Sequence, residues 1–173
     1  MCIIIDTNAL VSVFDRNSLN HHEFIPVYDW ISKGKGQIVY GGTKYINEMG
    51  KFLAMFNELK RANKAIYINN EKVDQKEKMV SAKIQHKDFD DQHLVGLLLE
   101  SKCKLICSLD ERAYPYFTST SFFSPSSQKP KIYSSKKNKK ILNDQNIAQI
   151  CKPCSASTNL QKAIFDKLNS KKI

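Results

Sequence analysis

Residues 2–5 read Cys-Ile-Ile-Ile, an unbroken apolar run that stops dead at Asp6. A run this short is too brief for a core helix, and its β-branched residues fit a strand buried on both faces. Such strands belong to parallel sheets, and parallel strands need helical crossovers between them. The rest of the chain supplies that alternation. Residues 8–14 predict a helix capped by Thr7 or Asn8, and residues 22–32 a second helix ending at the breaker Gly34-Lys35-Gly36. Residues 37–40 predict a second strand. Gly41-Gly42 then turns the chain into one long helix, starting at Thr43 and reaching about Arg61. Its apolar positions, Ile46, Met49, Phe52, Leu53, Phe56 and Leu59, keep helical spacing. Residues 65–68 read as strand, 71–84 as a polar helix, 90–101 as an apolar helix and 105–108 as a fourth strand, with a short helix after Asp110. The expected fold class is α/β, three layers (α/β/α) around a mainly parallel sheet.

Residues 1–117 form the expected core. Residues 118–173 read as a basic C-terminal extension of the same domain: a Ser/Pro/Phe-rich loop over 119–135, the run Lys136-Lys137-Asn138-Lys139-Lys140, and terminal helices over 143–150 and 159–168. With 27 Lys plus Arg against 17 Asp plus Glu, the net charge is +10, which points to a polyanionic partner or to solubility alone. The apolar start lacks a basic flank and is too short for a signal peptide, and no apolar run approaches membrane-spanning length. A cytoplasmic protein with no membrane partner is expected. Five cysteines, Cys2, Cys103, Cys107, Cys151 and Cys154, are an odd count that argues against a disulfide framework. Cys151-Lys152-Pro153-Cys154 is a CxxC without a second pair at zinc spacing, so these residues read as buried or incidental thiols.

Four carboxylates sit where such a fold gathers chemistry. Asp6 follows the first strand, Asp110 the fourth, Asp91 opens a helix, and Glu48 lies within the long helix. In open parallel sheets ligands bind beyond the carboxyl ends of the strands. Carboxylates crowded together repel one another, and a hard divalent cation with a preference for oxygen resolves the repulsion. Bound Mg²⁺ or Mn²⁺ activates water and offsets phosphoryl charge, as a pair about 3.5–4 Å apart where two ions are held. A plainer reading makes Asp6, Asp91 and Asp110 helix caps and Glu48 a solvated helix residue. His86 and His93 are candidate ligands or bases, or ordinary packing residues. Lys44 and Lys51 flank Glu48 and could meet a phosphate backbone. The lysines at 136, 137, 139 and 140 read as a nucleic-acid patch or a solvated loop, and Tyr133, Phe122 and Phe123 nearby could stack on bases.

Taken in order, these segments resemble the PIN-domain family. Ile3-Ile4-Ile5-Asp6-Thr7-Asn8 looks like its opening motif, and Tyr45-Ile46-Asn47-Glu48-Met49 like its helix-borne acid. Asp90-Asp91-Gln92-His93-Leu94-Val95-Gly96-Leu97-Leu98 looks like its third motif, and Leu105-Ile106-Cys107-Ser108-Leu109-Asp110 like its fourth. The likeness covers about residues 1–117, with a weaker echo over 131–142. It implies a metal-dependent nuclease, most often on RNA, with Asp6, Glu48, Asp91 and Asp110 as the Mg²⁺ or Mn²⁺ site and Asn8 and Ser108 as supporting groups. The third motif carries a wider acidic cluster, Asp88, Asp90 and Asp91, which leaves Asp90 as an alternative ligand. The expected activity is endonucleolytic hydrolysis of single-stranded RNA. A toxin, a defence nuclease and an RNA-processing enzyme all fit. An antitoxin, a defence-system protein or a second copy are the protein partners left open. Two other readings compete. One is a phosphatase with a nucleophilic aspartate, disfavoured because Asn8 stands where a second aspartate is needed. The other is a non-catalytic PIN-like RNA-binding module, disfavoured because the acidic set is complete.

Overall fold

A computed structural model describes residues 2–84 and 89–170; His86 and Asp88 lie outside these. Five strands form one all-parallel sheet: β1 (Cys2–Ile5), β2 (Gln37–Gly41), β3 (Ala65–Ile68), β4 (Leu105–Cys107) and β5 (Lys131–Tyr133), in the order β3-β2-β1-β4-β5. β1 is the central strand, and all four of its residues are fully buried, as its unbroken apolar run requires. The registers Ile5↔Cys107 and Cys107↔Tyr133 align the carboxyl ends of the last three strands in space. The ladder continues past them, with Asp6 N–H donating to Cys107 O (2.8 Å) and Ser108 N–H to Tyr133 O (3.1 Å).

The helices are α1 (Thr7–Phe14), α2 (His21–Ser32), α3 (Thr43–Glu48), α4 (Phe52–Arg61), α5 (Asn70–Lys83), α6 (Gln92–Ser101), α7 (Tyr114–Phe117) and α8 (Asn159–Ser170). On one face, α1, α2, α4 and α8 join through aromatic contacts: Phe14 meets Tyr28, Phe52 and Phe56, and Tyr28 meets Phe165. On the other face α5 packs against α6. Gly96 permits that approach, since a Cβ there would stand 2.8 Å from the Glu77 backbone nitrogen. Among the described residues no helix is long and apolar enough to cross a membrane.

Several expectations are corrected. The helix over 43–61 is two helices. Gly50 sits between them in the left-handed region (φ 53°), which any residue with a Cβ resists. The break sends α3 toward α5 and α6 while α4 packs under Phe14. The loop over 119–135 contains β5, so the extension supplies the sheet's last strand. Residues 143–150 hold no α-helix. Two 3-10 turns, Asp144–Asn146 and Gln149–Cys151, are separated by extended backbone at Ile147 and Ala148. Cys2 and Cys151 form a disulfide across 149 residues of sequence, so two of the cysteines are not thiols. Their Cα atoms stand 6.1 Å apart, because the tail descends past α2 to the start of β1.

Candidate functional site

The chain runs outward from β1 to β2 and β3, then returns to lay β4 on the other side of β1. The crevice between β1 and β4 is therefore the point where strand order reverses, the usual ligand position in open parallel sheets. Asp6 and Ser108 face each other across it. Ser108 Oγ donates to Asp6 Oδ2 at 2.6 Å and accepts from Asp110 N–H at 3.2 Å. Asn8 completes the bridge. Its Nδ2 donates to Asp6 Oδ2 (2.8 Å), its backbone N–H to Oδ1 (3.4 Å), and its Oδ1 accepts from Leu109 N–H (3.2 Å). Asp6 is thus the N-cap of α1 and the hub of a buried polar network, 3% exposed. Burial raises its carboxyl above the ordinary range; hydrogen bonds from Ser108 and Asn8 oppose this, and the Asp110 charge adds to it.

Asp91 occupies the N-cap position of α6, yet its side chain makes no capping hydrogen bond. Burial pushes its carboxyl up to about 7, and the charges of Asp6, Asp90, Asp110 and Glu48 add to the rise. All four lie within electrostatic range of Asp91, so five carboxylates from four segments of the chain face one region. Glu48, the last residue of α3, is likewise raised by burial and by Asp6 and Asp90, while Lys44 and Thr7 oppose. Thr7 Oγ1 lies 3.4 Å from Glu48 Oε2.

Three further residues complete the picture. His93, 1% exposed on α6, places Nε2 3.2 Å from Glu48 Oε2. The Asp90 backbone lies beside the ring, but neither ring nitrogen completes an aligned hydrogen bond to a described group. Burial and nearby Lys44 push His93 down to about 4, so it is a neutral imidazole aimed at the acidic cluster. Tyr45, fully buried, donates its hydroxyl to Ile5 O and braces the end of β1. Arg112 grips Asp110 in a fork, Nε to Oδ1 at 2.9 Å and a terminal nitrogen to Oδ2 at 2.8 Å. This clamp holds the Asp110 carboxyl below its ordinary range. The Asp110-x-Arg112 spacing was the available signal for the clamp, and His93 stands in the third motif, where it reads as a candidate ligand or base or as a packing residue.

The expected nucleic-acid residues are dispersed. Lys44 turns inward, donating to Asp90 O and standing 4.0 Å from Glu48 Oε1. Lys51 lies over the Phe52 ring. The lysine run is ordered as a 3-10 helix, Lys136–Ile141, kinked at Asn138 and entered through a capping box of Ser135 and Asn138. Lys136 pairs with Glu23 at 3.2 Å, while Lys137, Lys139 and Lys140 are exposed. This helix follows the carboxyl end of β5, on the edge that holds the acids. Base stacking by Tyr133 and Phe123 is corrected, because both rings are buried in the core. Phe122 packs against that core with Lys83 over its ring.

As placed, no three imidazole, thiolate or carboxylate groups among the described residues are arranged to hold one metal ion. The chemistry of the donors still fits a hard divalent cation. They are carboxylate oxygens backed by hydroxyl and amide groups, and Asp91 is a half-buried acid raised by burial and by four other carboxylates. No protein-family model matches the chain, and no curated protein or solved structure matches it.

Proposed function

We propose that this chain is a PIN-like metal-dependent ribonuclease that cleaves single-stranded RNA internally. One observation carries the reading: Asp6, Glu48, Asp91 and Asp110, from four separate segments, converge on the crevice where the strand order reverses. Asp6, Asp91 and Asp110 would hold Mg²⁺ or Mn²⁺, with Glu48 as the fourth carboxylate and Asp90 at the rim. When bound, the ion would supply activated water and neutralise phosphoryl charge. The chain's own residues do the rest. Ser108 and Asn8 fix the rotamer of Asp6, and neutral His93 lies against Glu48. Lys137, Lys139 and Lys140 give the same edge a positive rim for the polyanion. The phosphatase reading fares worse, since Asp6 spends both carboxylate oxygens on hydrogen bonds and is poorly disposed to attack. The Arg112 clamp is the observation that favours a non-catalytic RNA-binding module, because it occupies one of the four acids.

The test incubates purified protein with labelled single-stranded RNA and DNA in Mn²⁺, Mg²⁺ or EDTA, beside Asp6→Asn and Asp110→Asn. Metal-dependent cleavage of RNA, lost in both variants, is expected. RNA binding that survives EDTA, with no cleavage in any metal, would establish the binding module instead. For the biological setting, a toxin arrests growth on expression and Asp6→Asn relieves the arrest; harmless expression of wild type without a partner rejects that role. The same cultures expose an antitoxin or defence-system partner by co-purification, and sizing of the pure protein reads a homodimer.

A further inference from the structure

The cysteines form a second chemical centre, at the opposite end of β1 from the acids. Cys2 and Cys151, joined by a disulfide, are 0% and 2% exposed. A reductant in solution has no direct path to either sulfur. Cys154 is partly exposed, and its Sγ donates to the carbonyl oxygen of Cys151 three residues back. It is therefore held against the Cys151 peptide and also meets solvent. Two ammonium groups, Lys35 and Lys64, lie within electrostatic range of its sulfur. The other two thiols are poor competitors. Cys103 donates to Cys2 O and Leu105 O, and burial pushes its thiol up to about 12. Cys107 is fully buried within β4, and burial raises its thiol well above the ordinary range.

We infer that Cys154, Cys151 and Cys2 form a thiol–disulfide exchange relay in which Cys154 is the entry sulfur. The Cys154 thiolate attacks Cys151 Sγ, the Cys151–Cys154 bond forms, the Cys2–Cys151 bond breaks, and the electron pair leaves on Cys2 as thiolate. One proton lost from Cys154 and one gained by Cys2 balance the step, and no oxidant is consumed. A low-molecular-weight thiol such as glutathione then reduces the bond in its exposed form. In a reducing compartment a disulfide persists mainly as a transient or sensing element, and this arrangement suits that use. Exchange also unties the tail from β1. Residues 144–170 keep only non-covalent anchors: Lys35 to Asp144 at 2.9 Å, Ser157 N–H to Lys33 O at 3.2 Å, Gln161 to Ala62 O at 2.7 Å, and Phe165 on Tyr28. The inference does not depend on the nuclease reading.

The experiment incubates the full chain in glutathione buffers of graded redox poise, quenches with acid, alkylates with N-ethylmaleimide and maps the bonds by peptic digestion and mass spectrometry. Wild type is expected to show both Cys2–Cys151 and Cys151–Cys154. Cys154→Ser, a partly exposed position that should not disturb folding, is expected to show Cys2–Cys151 alone and to lose it to reduced glutathione at least about tenfold more slowly. Cys2→Ser is expected to carry Cys151–Cys154. Limited trypsin digestion reads the tail, with faster cleavage beyond residue 151 in the exchanged form. Cys2–Cys151 as the sole bond at every poise, with an unchanged reduction rate in Cys154→Ser, would overturn the relay. So would a wild type in which all five cysteines stay alkylatable under oxidising glutathione.

Discussion

Replacing Lys64 by Met should stabilise the protein, and the gain should fade as pH rises. Lys64 is 2% exposed, its ammonium donates to Gly34 O at 3.1 Å, and among the described residues no carboxylate pairs with it. Burial lowers its pKa from 10.5 to about 8. The unfolded chain therefore binds the proton more tightly than the folded one between these values, and stability contributed by this site rises with pH across that window. Below pH 8 the native state carries the full cost of a buried cation, roughly 3 kcal/mol at about 1.4 kcal/mol per tenfold change in proton affinity. The lost hydrogen bond to Gly34 offsets about 1 kcal/mol. Ser157 Oγ, 3.4 Å from the same carbonyl, remains to cover it. Lys64→Met should then be about 2 kcal/mol more stable at pH 7 and within about 0.5 kcal/mol of wild type at pH 9.5. In a chain of this size that difference is a rise of roughly 4–8 °C in Tm at pH 7. Urea unfolding followed by circular dichroism at the two pH values measures it, and comparing the two proteins, both carrying Cys154→Ser, cancels the titrating groups that do not interact with Lys64. A variant that is no more stable at pH 7, or a gain that is the same at both pH values, would refute the burial argument.

Three further outcomes test the site and the packing. Ser108→Ala removes the 2.6 Å hydrogen bond to buried Asp6, and should cost about 2 kcal/mol in wild type but clearly less in an Asp6→Asn background; an additive double-mutant cycle rejects the coupling. Arg112→Ala removes the guanidinium from both oxygens of Asp110 and leaves only the residue-112 backbone N–H on Oδ1, so Mn²⁺ titrated by calorimetry should bind up to about fivefold tighter, in line with an exposed ion pair worth under about 1 kcal/mol. Unchanged or weaker Mn²⁺ binding means that Asp110 is not a ligand. Gly96→Ala places a methyl group 2.8 Å from the Glu77 backbone nitrogen and 3.1 Å from Val73 O; thermal melts should show a loss of about 1–3 kcal/mol, and a neutral result contradicts the tight α5–α6 approach.

What could be read from the residues follows from how each feature is encoded. β1 announces itself because a doubly buried strand must be apolar at every position, and the helix periods of residues 52–59 and 94–98 are written by burial on one face. The sheet order places Asp6 beside Ser108 because both follow strand ends in the central pair. Other features leave no local trace. Ile46, Met49, Phe52 and Phe56 keep one helical period straight through the Gly50 break, so the pattern conceals the change of face. β5 is three residues long, has exposed Lys131 at its start and lies in a polar stretch, which gives neither alternation nor length to detect. A disulfide between residues 149 apart depends on where the tail returns, and an odd cysteine count says nothing about that. Nothing near Lys64 in the sequence marks a buried amine, and the grip of Arg112 on Asp110 is a matter of rotamer.

The lateness of β5 in the chain has a consequence for synthesis. Until residues 131–133 emerge, β4 is the outer strand of the growing sheet, and its open side offers unpaired peptide groups, among them Ser108 N–H and Lys104 O, which Tyr133 and Lys131 later take up. β4 is apolar throughout, without the charges that usually blunt such a margin. A ribosome adding about 5–20 residues per second leaves that margin bare for at least a second after β4 is made. Nascent chains that stall in this interval would pair with one another along β4, so the protein's yield in cells depends on reaching its fifth strand promptly.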